Sequence, residues 1–304
     1  MKELTVISGK GGTGKTTLVA AFASMVRNAV MADCDVDAAD LHLILKPDVK
    51  EEHTFESGFT AAINLNLCNE CGECLHLCRF DAIDETFRID PMSCEGCGVC
   101  VDNCPVEAIS LERDIGGKWY VSDTRFGPMV HAKLGVAQEN SGRLVSIVRT
   151  RAKEIAEERG LEVAIVDGSP GIGCPVISTV TGTDLILAVT EPTPSGRHDL
   201  ERVLQLARFF HVKAAVCVNK SDLNPAATEE IRALCNGDGA AFLGTIPYDA
   251  AVTEAMVNGK AVTEHGDSAA SRAMSEICEK ALGMLDITPG RAPASGDKKV
   301  GANS

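Results

Sequence analysis

The chain has 304 residues, 45% of them hydrophobic, with 29 basic against 43 acidic side chains and a net charge of −14. That is enough for one large domain or two modest ones with a substantial core, while the acidic balance argues against a nucleic-acid partner, which asks for a basic face. No run approaches the ~18 apolar residues of a transmembrane helix, and a strand-like segment starts at Leu4, leaving no room for a signal peptide. A cytoplasmic location with no membrane role is therefore expected.

From the N-terminus, Leu4–Ser8 has the apolar character of a buried strand, and a helix is expected from about Lys15 to Val26. Between them lies SGKGGTGKTT, which contains G-x-x-x-x-G-K-T as Gly9, Gly14, Lys15 and Thr16. A glycine-rich turn between strand and helix lets backbone N–H groups face phosphates at a helix N-terminus. The expected nucleotide contacts are Gly9, Gly11, Gly12, Thr13, Gly14, Lys15, Thr16 and Thr17. Lys15 reaches the β- and γ-phosphates, and the Thr16 hydroxyl is a ligand for Mg²⁺. Val30–Asp33 is a second short strand, followed by an acidic segment with Asp35, Asp37 and Asp40. Asp33, Asp37 and Asp40 carry the alternative of a solvated acidic loop, favoured for Asp40.

Residues 59–113 break this rhythm. Thirteen cysteines are many for a reducing compartment, where a disulfide framework is not expected, and eight of them fall between Cys68 and Cys104. They form two copies of one unit about 26 residues apart, CNECGECLHLCRFDAI and CEGCGVCVDNCPVEAI. The spacing C-x2-C-x2-C-x3-C, given twice, is the run of a two-cluster bacterial ferredoxin, in which the fourth cysteine serves the other cluster. One [4Fe–4S] cluster is assigned to Cys68, Cys71, Cys74 and Cys104, the other to Cys78, Cys94, Cys97 and Cys100. Two separate four-cysteine zinc sites are the alternative. Arg79 stands where the second copy has Pro105, which removes no ligand.

Residues 114–142 return to the first pattern. A helix starts near Gly142 with Leu144, Val148, Ala152, Ile155 and Ala156 on one face. Short apolar runs at Ala164–Asp167, Leu185–Thr190, Ala214–Asn219 and Phe242–Ile246 alternate with helices expected near Arg197–Phe210, Ala226–Leu234 and Ser268–Leu285. Alternation of this kind predicts an α/β fold with a mostly parallel sheet covered by helices on both faces. Asp167 ends a buried strand in VAIVDGSPGIG, with Gly171 in the segment that follows, and is expected to hold Mg²⁺ through water. VNKSD supplies N-K-x-D as Asn219, Lys220 and Asp222. That pattern can read guanine, so GTP stays open beside ATP, and Asp222 can equally be a loop residue capping the next helix. The end of the chain, ITPGRAPASGDKKVGANS, has the composition of a disordered tail and no apolar periodicity for a membrane-surface helix.

KGGTGKT, with its additional Lys10, resembles the deviant Walker A motif of the MinD/Mrp/ParA ATPases. With DGSPGIGCPVI, TEPTPSGRHDL and FGPMVHAKLGVAQENSGRLV, residues 1 to about 285 resemble members of that superfamily carrying an inserted ferredoxin domain. The resemblance implies a P-loop ATPase domain over 1–58 and 114–287, the ferredoxin insert over 59–113, and a tail over 288–304. It implies that Lys10 crosses to a partner's nucleotide in a homodimer or in a heterodimer with a paralogue, that Asp35 orients the attacking water and helps hold the metal, and that Asn219 contacts adenine. The implied function is an ATPase coupled to electron transfer or metallocluster delivery, with a metallocluster-handling or redox protein as partner. A nucleotide-gated scaffold or partitioning protein with structural or sensory clusters is the alternative. Cys174 follows Asp167 at the offset of a cluster-ligating cysteine in the nitrogenase iron protein, of the same superfamily, which implies a metal or cluster ligand at the dimer interface. The alternative is a small buried hydrophobe.

Overall fold

The computed structural model describes residues 1–135 and 141–288; the expected tail, apart from Thr288, lies outside the described residues. The elements in chain order begin with β1 (Lys2–Ser8), α1 (Lys15–Met25), β2 (Ala29–Asp33), α2 (Leu41–Leu45) and β3 (Asp48–Ile63). Next come α3 (Glu73–Leu77), α4 (Val99–Asp102), β4 (Ile109–Thr124), β5 (Gly127–Leu134), α5 (Ser141–Arg159), β6 (Val163–Pro170) and α6 (Cys174–Val180). The chain ends with β7 (Leu185–Thr190), α7 (Pro194–Phe209), β8 (Lys213–Asn219), α8 (Pro225–Asp238), β9 (Ala241–Ile246), α9 (Ala250–Val257), α10 (Val262–His265) and α11 (Ala269–Gly283). The strands form a nine-stranded sheet in the order β3-β4-β5-β2-β6-β1-β7-β8-β9. β1 pairs in parallel with β6 and β7, β2 with β5 and β6, and β8 with β7 and β9.

The chain divides into two compact units. The first comprises residues 1–52, 120–132 and 141–288 among those described. Its central strands are buried on both faces, as parallel strands under crossover helices must be. The period-2 alternation of β1 and β7 sends Leu4, Val6, Leu185, Leu187 and Val189 into one core with α1 and α11. Ile7, Ile186 and Ala188 go into the opposite core with α6, α7 and α8. Phe22 of α1 is fully buried in the first core, where truncation to alanine costs about 3–5 kcal/mol. Among the described residues, no helix is long and apolar enough to cross a membrane.

The second unit comprises residues 53–119 and 133–135, wider than the cysteine-rich segment 59–113 because the long strands β3 and β4 supply its flanks. Its apolar core is small. Ala61, Cys74 and Ile109 are buried, and Cys94, Cys100 and Cys104 are among the partly buried residues packed on them. Four of the eight cysteines are thus part of the core itself. None of the eight is in a disulfide.

Candidate functional site

In the first unit, β1 delivers the chain into the Gly9–Gly14 turn, and α1 starts at Lys15 with Gly14 as its N-terminal flank. Gly14 has φ 93°, and a Cβ there would stand 2.5 Å from the Asn219 side-chain nitrogen. Only glycine fits both the backbone and the neighbour. Asn219 closes the contact by donating from Nδ2 to the Thr13 carbonyl at 2.8 Å, while its Oδ1 accepts the Lys220 N–H at 2.9 Å. A pocket of about 400 Å³ opens here, lined by Gly11, Gly12, Gly14, Lys15, Thr16 and Thr17 and, opposite them, by Pro247, Tyr248, Val252 and Met256. A phosphate-binding end and an apolar end within one cavity suit a nucleotide.

Asp33, Asp35 and Asp167 lie within electrostatic reach of one another beside the phosphate loop. Asp33 and Asp167 are register partners on adjacent parallel strands, and both are buried. Burial pushes the Asp167 carboxyl up to about 7, against the pull of the nearby Thr16 hydroxyl and of Lys15. Asp33 is raised by burial and by the negative charge of Asp167. Asp35 is raised by burial, offset in part by Lys15, whose Nζ lies 4.0 Å from its Oδ2. Oδ2 of Asp33 and both carboxylate oxygens of Asp167 are buried without a hydrogen-bond partner. Buried oxygens of that kind are costly unless a cation or its water shell satisfies them, so the residues present fit a hydrated Mg²⁺. Asp33 was open to reading as solvated loop. It closes strand β2 and is buried instead, and its position two residues before Asp35 was the signal for it. Asp40, expected in a solvated loop, is exposed yet lines the nucleotide pocket.

The segment after Asp167 is tied to both neighbours. The Cys34 N–H donates to the Asp167 carbonyl at 2.8 Å and the Gly171 N–H to the Ser8 carbonyl at 2.8 Å. Ser169 Oγ donates to the Cys34 carbonyl at 2.8 Å.

Two expected nucleotide contacts, Gly9 and Thr13, do not line the pocket. A Cβ at Gly9 would lie 2.2 Å from Asp199 Cβ, so this glycine admits α7 against the loop. Lys10 is also absent from its own pocket. Its Nζ lies 3.6 Å from Glu191 and 3.5 Å from Ser195 Oγ, and Glu191 also accepts from Lys220 Nζ at 2.7 Å. Asp222 neither faces the pocket nor caps α8, whose N-cap is Asn224; it accepts the Tyr248 N–H at 2.6 Å. Cys174 is exposed at the start of α6, not buried. Among the described residues, no three His, Cys, Asp or Glu side chains converge on a position for one metal ion.

In the second unit the eight cysteines ring two hollows. Cys68, Cys71, Cys74 and Cys104 line the first, with Phe87 and Ile109. Cys78, Cys94, Cys97 and Cys100 line the second, with Ala61 and Ile83. Gly72 and Gly98 precede α3 and α4 with φ 78° and 77°, and Gly96 passes so close to Phe59 that a Cβ would lie 2.0 Å from the Phe59 carbonyl oxygen. Backbone N–H groups aim at sulfur from Glu70 to Cys68 Sγ at 3.4 Å, from Ala61 to Cys94 Sγ at 3.4 Å and from Ala108 to Cys104 Sγ at 3.2 Å. Donors of this kind stabilise thiolate charge, which fits a thiolate-held cofactor.

The α/β sheet with a phosphate loop between β1 and α1 and a buried aspartate within β6, which runs three residues past the expected strand end at Asp167, defines a P-loop nucleotide-binding protein. Residues 4–262 match the CobQ/CobB/MinD/ParA nucleotide-binding domain, and the chain belongs to that family. An uncharacterised protein of Methanocaldococcus jannaschii is 34% identical over 91% of this chain and 95% of its own length. A second uncharacterised protein of that organism is 27% identical over 88% and 93%. The iron-sulfur cluster carrier protein of Pyrococcus furiosus is 25% identical over 41% of this chain and 46% of its own. The septum site-determining protein MinD of Pyrococcus horikoshii, solved with Mg-ADP, superposes with a TM-score of 0.57 at 17% identity over 92% of this chain and 95% of that one, which shows a shared fold.

Proposed function

We propose that this protein binds and hydrolyses ATP with Mg²⁺ and couples the resulting dimer rearrangement to one-electron transfer or metallocluster delivery through two [4Fe–4S] clusters in its second unit. The observation that carries the reading is the crossed partition of the cysteines. Each hollow takes three from one repeat and the fourth from the other, the arrangement that two cubanes in one ferredoxin fold require. The small core of the unit supports it as well. Among the described residues, the buried apolar side chains of the unit besides Cys74 are Phe55, Ala61, Ala82, Ala108 and Ile109, few and mostly small for a module of this size, and a bound cofactor would add to its stability.

In the first unit the Gly11–Thr17 backbone and Lys15 take the phosphates and stabilise the charge that develops during transfer to water. Thr16, Asp33 and Asp167 hold the hydrated Mg²⁺, which supplies further charge neutralisation when bound, and Asp35 positions the attacking water. Asn219 shapes the loop and borders the base end. Lys10, directed away from its own pocket, acts on the nucleotide of a second copy or of a paralogue. The [4Fe–4S] clusters supply one-electron storage. The name of the Pyrococcus furiosus relative, an iron-sulfur cluster carrier, favours keeping delivery beside electron transfer.

Anaerobic preparation followed by iron, sulfide and zinc analysis, with EPR of the reduced protein, is the test. About eight irons and eight sulfides per chain are expected, with cluster oxidation by an acceptor changing on addition of MgATP. Stoichiometric zinc without acid-labile sulfide would overturn the cluster assignment. Clusters indifferent to ATP would leave the nucleotide as a gate for something else.

A further inference from the structure

The two cysteine hollows are built from one repeated unit, and their mouths differ. Cys71 and Cys97 occupy equivalent positions of the two repeats, and both are exposed. The residues framing them are not equivalent. At the Cys78/Cys94/Cys97/Cys100 hollow the lining includes Phe80 and Val99, which are 46% and 41% exposed. The matching positions at the other hollow are Val106 and Glu73, and Glu73 is exposed. The repeat thus departs from its own symmetry at the two mouth positions, placing an aromatic ring and a valine at one mouth and a valine and a carboxylate at the other.

Charge is the second observation. Residues 59–113 carry ten acidic and three basic side chains, so this segment alone contributes half of the net charge of −14. Glu95 is exposed and lines the apolar mouth itself. A solvent-facing aromatic and valine set in a negative field form a small apolar contact bordered by acid. The same field repels a second copy of this segment.

From this geometry we infer that the mouth framed by Phe80 and Val99 is the electron port of the second unit, and that it docks a one-electron carrier protein with an apolar contact ringed by lysine and arginine. The inference rests on the two-cluster reading and adds to it which hollow faces the partner and what charge that partner bears. The step passes one electron from the reduced four-cysteine centre to the oxidised centre of the carrier, with no bond or proton exchanged. Charge complementarity sets the encounter rate, and the apolar contact sets how long the pair stays together.

Stopped-flow oxidation of the full, anaerobically reduced protein tests this with three probes: a basic c-type cytochrome, an acidic c-type cytochrome of similar potential, and a small neutral cobalt(III) complex. The basic cytochrome is expected to react about tenfold faster than the acidic one at low salt, losing about that advantage as ionic strength rises toward ~0.3 M. The double variant Phe80→Val with Val99→Glu copies the other mouth and is expected to slow the basic cytochrome roughly fivefold while leaving the cobalt complex unchanged. It adds a negative charge, so a loss reports the apolar contact and not the field. The reciprocal variant, Glu73→Val with Val106→Phe, is expected not to slow it. Both variants use residues that this fold already holds at equivalent positions, and iron and sulfide content checks that they assemble. Unchanged rates for the first variant, equal loss in both, or a rate independent of salt and of cytochrome charge would each overturn the port. A parent protein lacking two clusters by iron analysis and EPR would instead remove the reading beneath it.

Discussion

The Asp222 carboxylate accepts the Tyr248 N–H at 2.6 Å, so the aspartate of the N-K-x-D sequence holds the loop after β9 and does not face the base. The other two members are engaged as well. Asn219 bonds the Thr13 carbonyl and the Lys220 N–H, and Lys220 pairs with Glu191. Asp249, which also borders the pocket, accepts the Ala251 and Ala270 N–H groups. Asp222 is absent from the pocket lining, and each oxygen of Asp249 already accepts a backbone N–H, so neither carboxylate is set up as a dedicated reader of the N1–H and N2–H of guanine. ATP is therefore expected to bind at least tenfold more tightly than GTP, a difference of about 1.4 kcal/mol. Asp222→Ala should weaken both by a similar small factor through the Tyr248 loop. Competition titrations check this, and a selective loss of GTP binding in the variant would restore Asp222 as a base reader.

Lys15 and Lys10 are separated by their surroundings. Lys15 is buried at the pocket floor beside Asp35, whereas Lys10 is half exposed and turned toward Glu191 and Ser195. Lys15→Ala should abolish hydrolysis and weaken nucleotide binding. Lys10→Ala should leave binding nearly intact and lose ATP-dependent dimerisation, with turnover falling by two orders of magnitude or more. Sedimentation with ATP, alongside nucleotide titration, distinguishes them; dimers of Lys10→Ala equal to those of the parent would remove the cross-dimer role. Asp35→Ala should bind ATP and hydrolyse it slowly, which prolongs the dimer and gives the same instrument an opposite signal.

His131 on β5 is buried, with Nε2 at 2.9 Å from Ser122 Oγ, and burial, together with the nearby His42, pushes its pKa down to about 4. The folded value lies below the unfolded one near 6.5. Its contribution to stability is therefore complete above pH ~6.5 and is lost as pH falls toward 4. The raised carboxyls of Asp33 and Asp167 work in the opposite sense, stabilising the metal-free protein at low pH; Asp167 loses that contribution as pH rises through about 7, and Asp33 loses its own as it ionises. The two trends are separated by difference. Between pH 7 and pH 4 the parent should lose about 2–3 kcal/mol relative to His131→Asn, read by urea unfolding at several pH values. Parallel pH profiles for the two proteins would place the charge of His131 outside the folding equilibrium.

The strands β1, β2, β6, β7, β8 and β9 were legible because parallel strands leave short apolar runs, unbroken where both faces are buried, as in Leu185–Thr190. β3 was not. Its sequence, DVKEEHTFESGFTAAI, is mostly exposed or half-exposed along its length, so no apolar run announces it. The cysteine partition was written in local spacing, and the phosphate loop in Gly9, Gly14, Lys15 and Thr16. Where Lys10 points, and what Asp222 accepts, depend on Glu191 and Tyr248, residues far away in the chain. Spacing within a motif carries no information about such partners.

Arg149 offers the largest single stability effect tied to the site. From the middle of α5 its Nε donates to Glu3 Oε1 of β1 at 2.7 Å, and one terminal nitrogen donates to the carbonyls of Ser178 and Thr181 at the end of α6. Lys153 Nζ adds a second cation 2.8 Å from Glu3 Oε2. Glu3 is 2% exposed and Arg149 7%, so neither regains water if the other is removed. Arg149→Met should destabilise by about 3–5 kcal/mol because it strips Glu3 of its buried partner and leaves two carbonyls of α6 uncapped. Adding Glu3→Gln should recover part of that loss and leave the α6 share. α6 begins four residues after Pro170, at the end of the segment tied to Ser8 and Cys34, so the unrecovered part should weaken MgATP binding even in the double variant. Chemical unfolding measures the first effect, and nucleotide titration of the folded double variant the second. If the double variant binds MgATP as the parent does, Arg149 serves stability alone and the placement of α6 is set by packing against α5.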